Sequence, residues 1–355
     1  MVREIGSEFW HGCTPLTGEG VAAYLPQDFD CRMVLSGRTA LELAIRDILL
    51  HKAATKAYLP SYCCHTMIEP FLRNGIQVAF YDIVYNEDGL ELCFCADHGC
   101  DVVLLMDYFG YTSAQIVRLI KTQAEQGRTV IYDATHSFFC EDMDYRHCDY
   151  VIASLRKWLP VNVGFCAKNV PFSDFPDLQH LDEYEQMREQ SFAEKAMYME
   201  TGRGDKNAFL QRFAASEALL EQRYSDYAAD ERSLSVLQNV DVPVLRNARR
   251  KNARRLIDGL QALNIPWLQA VPQRVSEKEC PLFVPLWVSP EKRATLRSHL
   301  IQNGIYLPVH WPLSPQHPEE APEIYRAELS CVCDQRYSET DMDRILDAMR
   351  RFANP

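Results

Sequence analysis

The sequence predicts an α/β protein, with a large domain built on a mostly parallel sheet flanked by helices and a smaller C-terminal α+β domain behind it. Three observations predict it. Five strand-sized apolar or β-rich runs in the first half alternate with helical patterns. A charged, helix-rich stretch then runs from about Phe175 to Arg232. Beyond it, β-like and helical segments mix. Alternating strand and helix implies parallel pairing, because each crossover must return over one face of the sheet. With 355 residues and 47% hydrophobic content, the chain can bury one large core or two unequal ones.

The strand expectations are Lys56 to Pro60, Val78 to Tyr81, Asp101 to Met106, Arg128 to Tyr132 and Tyr150 to Ala153, short enough and apolar enough to be buried on both faces. Helical patterns fall at Ala40 to Leu50, Met67 to Arg73 and Ala114 to Gln126, the last followed by Gly127 as a stop. After the helical crossing come a helix at Asn247 to Leu263 and β-like segments around Cys280 to Val288 and Tyr306 to Trp311. Two more helices follow at Pro290 to Asn303 and Ser338 to Phe352. The expected division is a large domain over residues 1–238 and a small one over 239–355.

Charge and composition exclude several classes of partner. Thirty-seven Lys+Arg against 49 Asp+Glu gives a net charge of −12, a surface that repels nucleic-acid backbones and anionic lipid. The longest apolar runs, such as Val102 to Met106, fall far short of the roughly 20 residues that span a bilayer. The first twelve residues lack the pattern of a secretory signal, so a cytoplasmic location is expected. The 13 cysteines then read as thiols rather than a disulfide framework.

Chemistry concentrates at three places. Val130-Ile131-Tyr132-Asp133-Ala134-Thr135-His136 is a hydrophobic strand whose C-terminal end delivers an acid and, three residues on, an imidazole. In open α/β sheets that edge binds ligands. Taken alone, Asp133 could equally cap the next turn and His136 pack locally. Ala153-Ser154-Leu155-Arg156-Lys157 ends another strand in a lysine whose amine, desolvated beside a guanidinium, would lose charge and become nucleophilic. A surface Lys-Arg pair is the alternative. Ser36-Gly37-Arg38-Thr39 runs directly into a helix, where free N–H groups, a close-approach glycine and extra donors suit a phosphate. As a bare helix cap this is commonplace.

In this order and at these separations, the three segments resemble the DegT/StrS-like sugar aminotransferases, pyridoxal 5'-phosphate (PLP) enzymes of fold type I. The resemblance extends to Leu59-Pro60-Ser61-Tyr62, Asp107-Tyr108-Phe109-Gly110, Gly304 to Leu313 and Cys333-Asp334-Gln335-Arg336-Tyr337-Ser338. It implies that Lys157 bonds covalently to PLP and shuttles protons, that Asp133 keeps the ring nitrogen protonated, and that His136 contacts the phenolic oxygen. Gly37, Arg38, Thr39 and Ser154 would form the phosphate cup. A homodimer with shared sites is implied, with Asn207, in the crossing, reaching the partner's phosphate. His310, Trp311, Glu8 and Trp10 are expected on the substrate side. The implied reaction moves an amino group from an amino acid, Glu or Gln, to a keto acceptor such as a nucleotide-linked keto-sugar. A PLP-binding regulatory homologue and a PLP lyase or dehydratase are the alternatives, and the presence of Lys157 argues against the dehydratase branch.

Two departures stand out. Cys64 falls where many relatives stack an aromatic ring on the cofactor, which leaves Tyr62 or His65 to take that place. Val161-Asn162-Val163-Gly164 carries one glycine where relatives often have two. Cys93, Cys95, His98 and Cys100 have zinc-ligand types at unconvincing spacing, and no metal is expected. Arg246 to Arg255 reads as a solvated helix face.

Overall fold

A computed structural model of the chain describes residues 4–86, 89–95, 99–313, 315–317 and 322–354. Its largest element is an eight-stranded sheet. Across it the order is Asp30–Val34, Gly164–Lys168, Tyr150–Ser154, Thr129–Asp133, Val102–Met106, Lys56–Pro60, Gln77–Asn86 and Gly89–Cys93. The five strands from Tyr150–Ser154 through Gln77–Asn86 run parallel, and antiparallel strands flank them on both sides. Every residue of Val102–Met106, Thr129–Asp133 and Tyr150–Ser154 is buried, as strands covered by helices on both faces must be.

Register aligns the strand ends that carry chemistry. Met106 lies opposite Asp133, and Asp133 opposite Ile152, so the C-terminal edge presents Asp133 and Ser154 side by side. The expected helices stand at Gly37–His51, His65–Arg73 and Ala114–Glu125, the last two each crossing between neighbouring strands and the first leading from the edge strand Asp30–Val34 to Lys56–Pro60. Three strands of this sheet escaped sequence pattern. Asp30–Val34, Gly89–Cys93 and Gly164–Lys168 are antiparallel additions whose mixed composition lacks a clear run.

The expected crossing resolves into Asp182–Thr201 and Lys206–Gln222, which pack together, followed by Glu231–Asn239. The next helix begins earlier than its pattern, at Val242, because the Asp241 carboxylate accepts the Val244 N–H at 3.0 Å and Pro243 suits a first turn. A second sheet of Leu268–Ala270, Val284–Val288 and Glu328–Cys331 is antiparallel and has its own core, including Leu256, Leu286, Leu296 and Ile345. The Tyr306 to Trp311 expectation is corrected. Only Ile305–Tyr306 is strand, paired with Ile5–Gly6 of the N-terminal arm, and the rest turns inward so that Trp311 is buried. Among the described residues no helix is long and apolar enough to cross a membrane.

Candidate active site

A cavity of about 110 Å³ opens at the C-terminal edge of the large sheet, lined by residues from all three sequence motifs. Wider clefts, up to about 810 Å³, lie elsewhere but gather no comparable set of reactive groups. The strand Thr129–Asp133 delivers Asp133, and the 3-10 turn Ala134–His136 delivers Thr135 and His136. The strand Tyr150–Ser154 delivers Ser154, and its following turn Arg156 and Lys157. The N-terminus of Gly37–His51 adds Ser36, Gly37 and Arg38.

Each group is held in a definite state. Asp133 Oδ1 accepts the Thr135 N–H at 2.8 Å, which leaves Oδ2 with no hydrogen-bond partner among the described residues. Burial raises its carboxyl above the ordinary range, so a nearby cation would be needed to keep it charged. His136 Nδ1 accepts the Phe109 N–H at 3.2 Å, and burial, with His310 and Lys157 nearby, lowers the imidazole well below its usual value. The ring is therefore neutral with its proton on Nε2, a donor. Trp311 stacks on it, with centroids 5.6 Å apart and planes at 24°.

Lys157 has no hydrogen-bond or ion-pair partner among the described residues, and burial, then Arg156, lowers its amine below the lysine range. That is a nucleophilic amine facing a cavity. Ser154 Oγ is buried with no partner, an orphan that a native core rarely tolerates unless a ligand satisfies it. Gly37 lies so close that a Cβ there would stand 2.8 Å from Ser154 Cβ. Gly164 serves the same seam. A Cβ on it would strike Ser36 C at 2.6 Å and Gly37 N at 2.7 Å, so this one glycine suffices for the helix start to cross the strand. Arg38 lies over the Tyr224 ring at 5.1 Å and has no carboxylate partner among the described residues. An anion would find there a guanidinium, a free hydroxyl and a helix N-terminus together.

No protein-family model and no curated protein matches the chain. Solved structures do. The aminotransferase TlmJ from Streptoalloteichus hindustanus is 14% identical and superposes with a TM-score of 0.65, covering 93% of this chain and 88% of that one. Helicobacter pylori PseC, an aminotransferase involved in the biosynthesis of pseudoaminic acid, is 12% identical at a TM-score of 0.65, covering 99% and 98%. A DegT DnrJ EryC1 StrS aminotransferase from Brucella abortus is 14% identical at 0.59, covering 96% and 92%. The chain has the fold of these aminotransferases. At such identities the likeness establishes the fold type I architecture alone, and the chemistry must be read from the residues.

Within that fold several expected residues stand elsewhere than the sequence suggested. Thr39 does not line the cavity. Its hydroxyl donates to the Tyr224 carbonyl at 2.7 Å, and its N–H is capped by Ser36 Oγ at 3.2 Å. Tyr62 is fully buried behind the site, donating to the His310 carbonyl at 2.6 Å. His65 turns toward Glu221, 3.7 Å away, and Cys64 lines the cavity in place of either ring. Trp10 is buried in the smaller core under Lys195 and Arg336. Glu8 stays near the site, with its carboxylate 3.7 Å from Arg188. His310 is buried, with its N–H on Glu328 at 2.8 Å and its ring on Ser330 Oγ at 2.8 Å, while Trp311 does line the cavity. Asn207 is exposed in the first turn of Lys206–Gln222 and does not reach the cavity of its own chain. Cys93 and Cys95 are exposed thiols and Cys100 is buried, while His98 lies outside the described residues.

Sequence reasoning missed Thr135, whose Oγ1 accepts the Ser154 N–H at 3.0 Å and so ties two chemistry-bearing turns together. It also missed Glu217. Arg156 Nη1 sits 2.6 and 2.8 Å from the two Glu217 oxygens, a pairing 61 positions apart that no local pattern announces.

Proposed function

We propose that this chain is a PLP-dependent aminotransferase of the DegT/StrS type. It would take an amino group from an amino acid, Glu or Gln, and pass it to a keto acceptor, a keto-sugar or nucleotide-linked keto-sugar. One observation carries the reading: a free amine, a carboxylate oxygen, an imidazole donor and an orphaned hydroxyl converge on one cavity at the sheet edge. The donor set fits PLP group by group. Ser154 Oγ, Gly37 and Arg38 suit its phosphate, Asp133 Oδ2 its ring nitrogen, His136 Nε2–H its phenolic oxygen and Lys157 Nζ its aldehyde.

When bound, PLP supplies a cationic ring that accepts electron density from a substrate carbon. The protein's part is positional and protonic. Asp133 Oδ2 holds a proton on the partner facing it, and that cation in turn offsets the penalty of burying the carboxylate. His136 keeps Nε2–H aimed by anchoring Nδ1 on the Phe109 backbone and its face on Trp311. Lys157, its amine held below the lysine range by burial, accepts a proton at Nζ and can return it to an adjacent atom. Trp311 excludes water from one wall.

The neighbouring structures named as aminotransferases, one of them involved in pseudoaminic acid biosynthesis, support the acceptor class. We further infer a homodimer, since Asn207 can serve a cofactor only in a second copy, and a cytoplasmic location, with 13 cysteines held in no disulfide, as suits a reducing compartment. The test is a half-reaction. The PLP-loaded chain mixed with glutamate or glutamine should release the donor's 2-oxo acid and hold pyridoxamine phosphate. A cofactor spectrum unmoved by any amino donor would instead favour a binding-only homologue.

A further inference from the structure

Two helices of the crossing place an ionic group, buried at Arg188 and partly exposed at Glu217, against the turn that carries the amine. Arg188, on Asp182–Thr201, is fully buried between the rings of Phe192 and Phe213, at 4.8 and 5.0 Å. Its Nε donates to Asn162 Oδ1 at 3.1 Å, and its Nη1 to Glu217 Oε1 at 3.5 Å. Its Nη2 lies 3.7 Å from Glu8 of the N-terminal arm. Glu217, on Lys206–Gln222, thus divides its carboxylate between Arg188 and Arg156, the residue next to Lys157.

The charge count gives this arrangement its consequence. Arg156 and Arg188 contribute two positive charges, and Glu217 and Glu8 two negative ones, so the group is balanced only while Lys157 is neutral. Removing Glu217 would leave the buried Arg188 and the partly buried Arg156 short of a partner. The groups facing the amine are Arg156 from its own turn, Cys64 from the start of His65–Arg73, Glu217 from the crossing and Glu8 from the arm. Asp133 and His136 face it from the neighbouring strand end, and Arg38 lines the same cavity.

We propose that Glu217 is a positioning residue for Lys157, binding the turn that carries the amine to both crossing helices and offsetting the guanidinium beside it. Glu8 acts in the same sense from the arm, more weakly because its carboxylate stands 3.7 Å from Arg188, whereas Glu217 bonds Arg156, next to Lys157, at 2.6 and 2.8 Å. The inference rests on Lys157 being the reacting amine. In support, Glu217 is held near pKa 2: burial opposes this, and Arg156 and Arg188 more than reverse it.

The experiment is competitive acetylation of the full-length chain across a pH series, with each lysine quantified by mass spectrometry, so that Lys157 is titrated without reference to turnover. Glu217→Gln leaves Arg156 uncompensated and should move the Lys157 midpoint down by about 1 pH unit, while Arg156→Gln should move it up by a similar amount. Glu217→Asp should restore the midpoint toward that of the unaltered chain. Glu8→Gln should give a smaller downward shift, and it carries the test if Glu217→Gln does not fold by circular dichroism. A merely structural role would move the Gln variants of 217 and 156 in one direction or leave both unmoved, and either result overturns the proposal. PLP uptake is measured separately by absorbance. Opposite shifts in a chain that binds no PLP would defeat the functional reading and leave only the charge coupling of Glu217 to Lys157, whereas PLP uptake without the shifts would defeat this inference alone.

Discussion

Gly37 lies directly against Ser154, so that the start of one helix and the end of one strand meet with no room for a side chain between them. The seam brings an unpartnered hydroxyl and the helix's free N–H groups to one point. Gly37→Ala should therefore lose about 1–3 kcal/mol of stability through overpacking against Cβ and backbone atoms. It should also bind PLP more weakly. Thermal denaturation of the cofactor-free chain and a PLP titration check the two effects, and a variant as stable and as tight-binding as the parent would contradict the seam.

Ser154→Ala separates a ligand role from a structural one. Its Oγ makes no hydrogen bond within the chain, so removing it should leave the cofactor-free stability unchanged or slightly higher. PLP affinity should fall by roughly tenfold, corresponding to about 1.4 kcal/mol. Lower stability with unchanged affinity would show that the hydroxyl serves the core.

Asp133→Asn should cost turnover and add stability. Folding raises the carboxyl's pKa, so the folded chain holds a proton that the unfolded chain has released. In the cofactor-free chain, stability is therefore lost as pH rises from about 4, the unfolded value, through the higher folded value. Asn keeps an oxygen for the Thr135 N–H and carries no such dependence. The variant should match its parent in acid, exceed it at neutral pH and turn over at least ~10²-fold more slowly. Denaturant titrations at several pH values check the sign, and a parent that gains on the variant with rising pH would reverse it.

These strand-end residues were legible because a buried apolar run has one chemical edge, and Asp133, His136, Ser154 and Lys157 each sit within three residues of one. Hydroxyls and rings inside the same motifs misled. Thr39 and Tyr62 look like ligands in sequence, yet each is satisfied by a carbonyl 185 or 248 positions away. Glu217 and Trp311 reach the site through tertiary packing, and nothing local marks the first of them. Trp10 follows the arm into the smaller core, where its neighbours Lys195 and Arg336 lie far along the chain.

Cys64 should be the cavity's reactive thiol. Burial opposes ionisation, but hydrogen bonds with His65 and Thr66 more than offset it and hold the thiol near pKa 7. Its thiolate fraction, and so its alkylation by iodoacetamide, should rise through pH 7, below the roughly 8.5 of a free cysteine. Because Cys64 lines the cavity, the modified chain should take up less PLP. Site-resolved mass spectrometry gives the midpoint, and one at the free-cysteine value would show that the neighbours do not act on it.

The account turns on Lys157 and Asp133 sharing one ring between them. Reduction of the PLP-loaded chain with borohydride, followed by digestion and mass spectrometry, locates the covalent attachment directly. The expected result is a single pyridoxyl group on Lys157, absent in Lys157→Ala. A pyridoxyl group on another lysine, or retained in that variant, would contradict it.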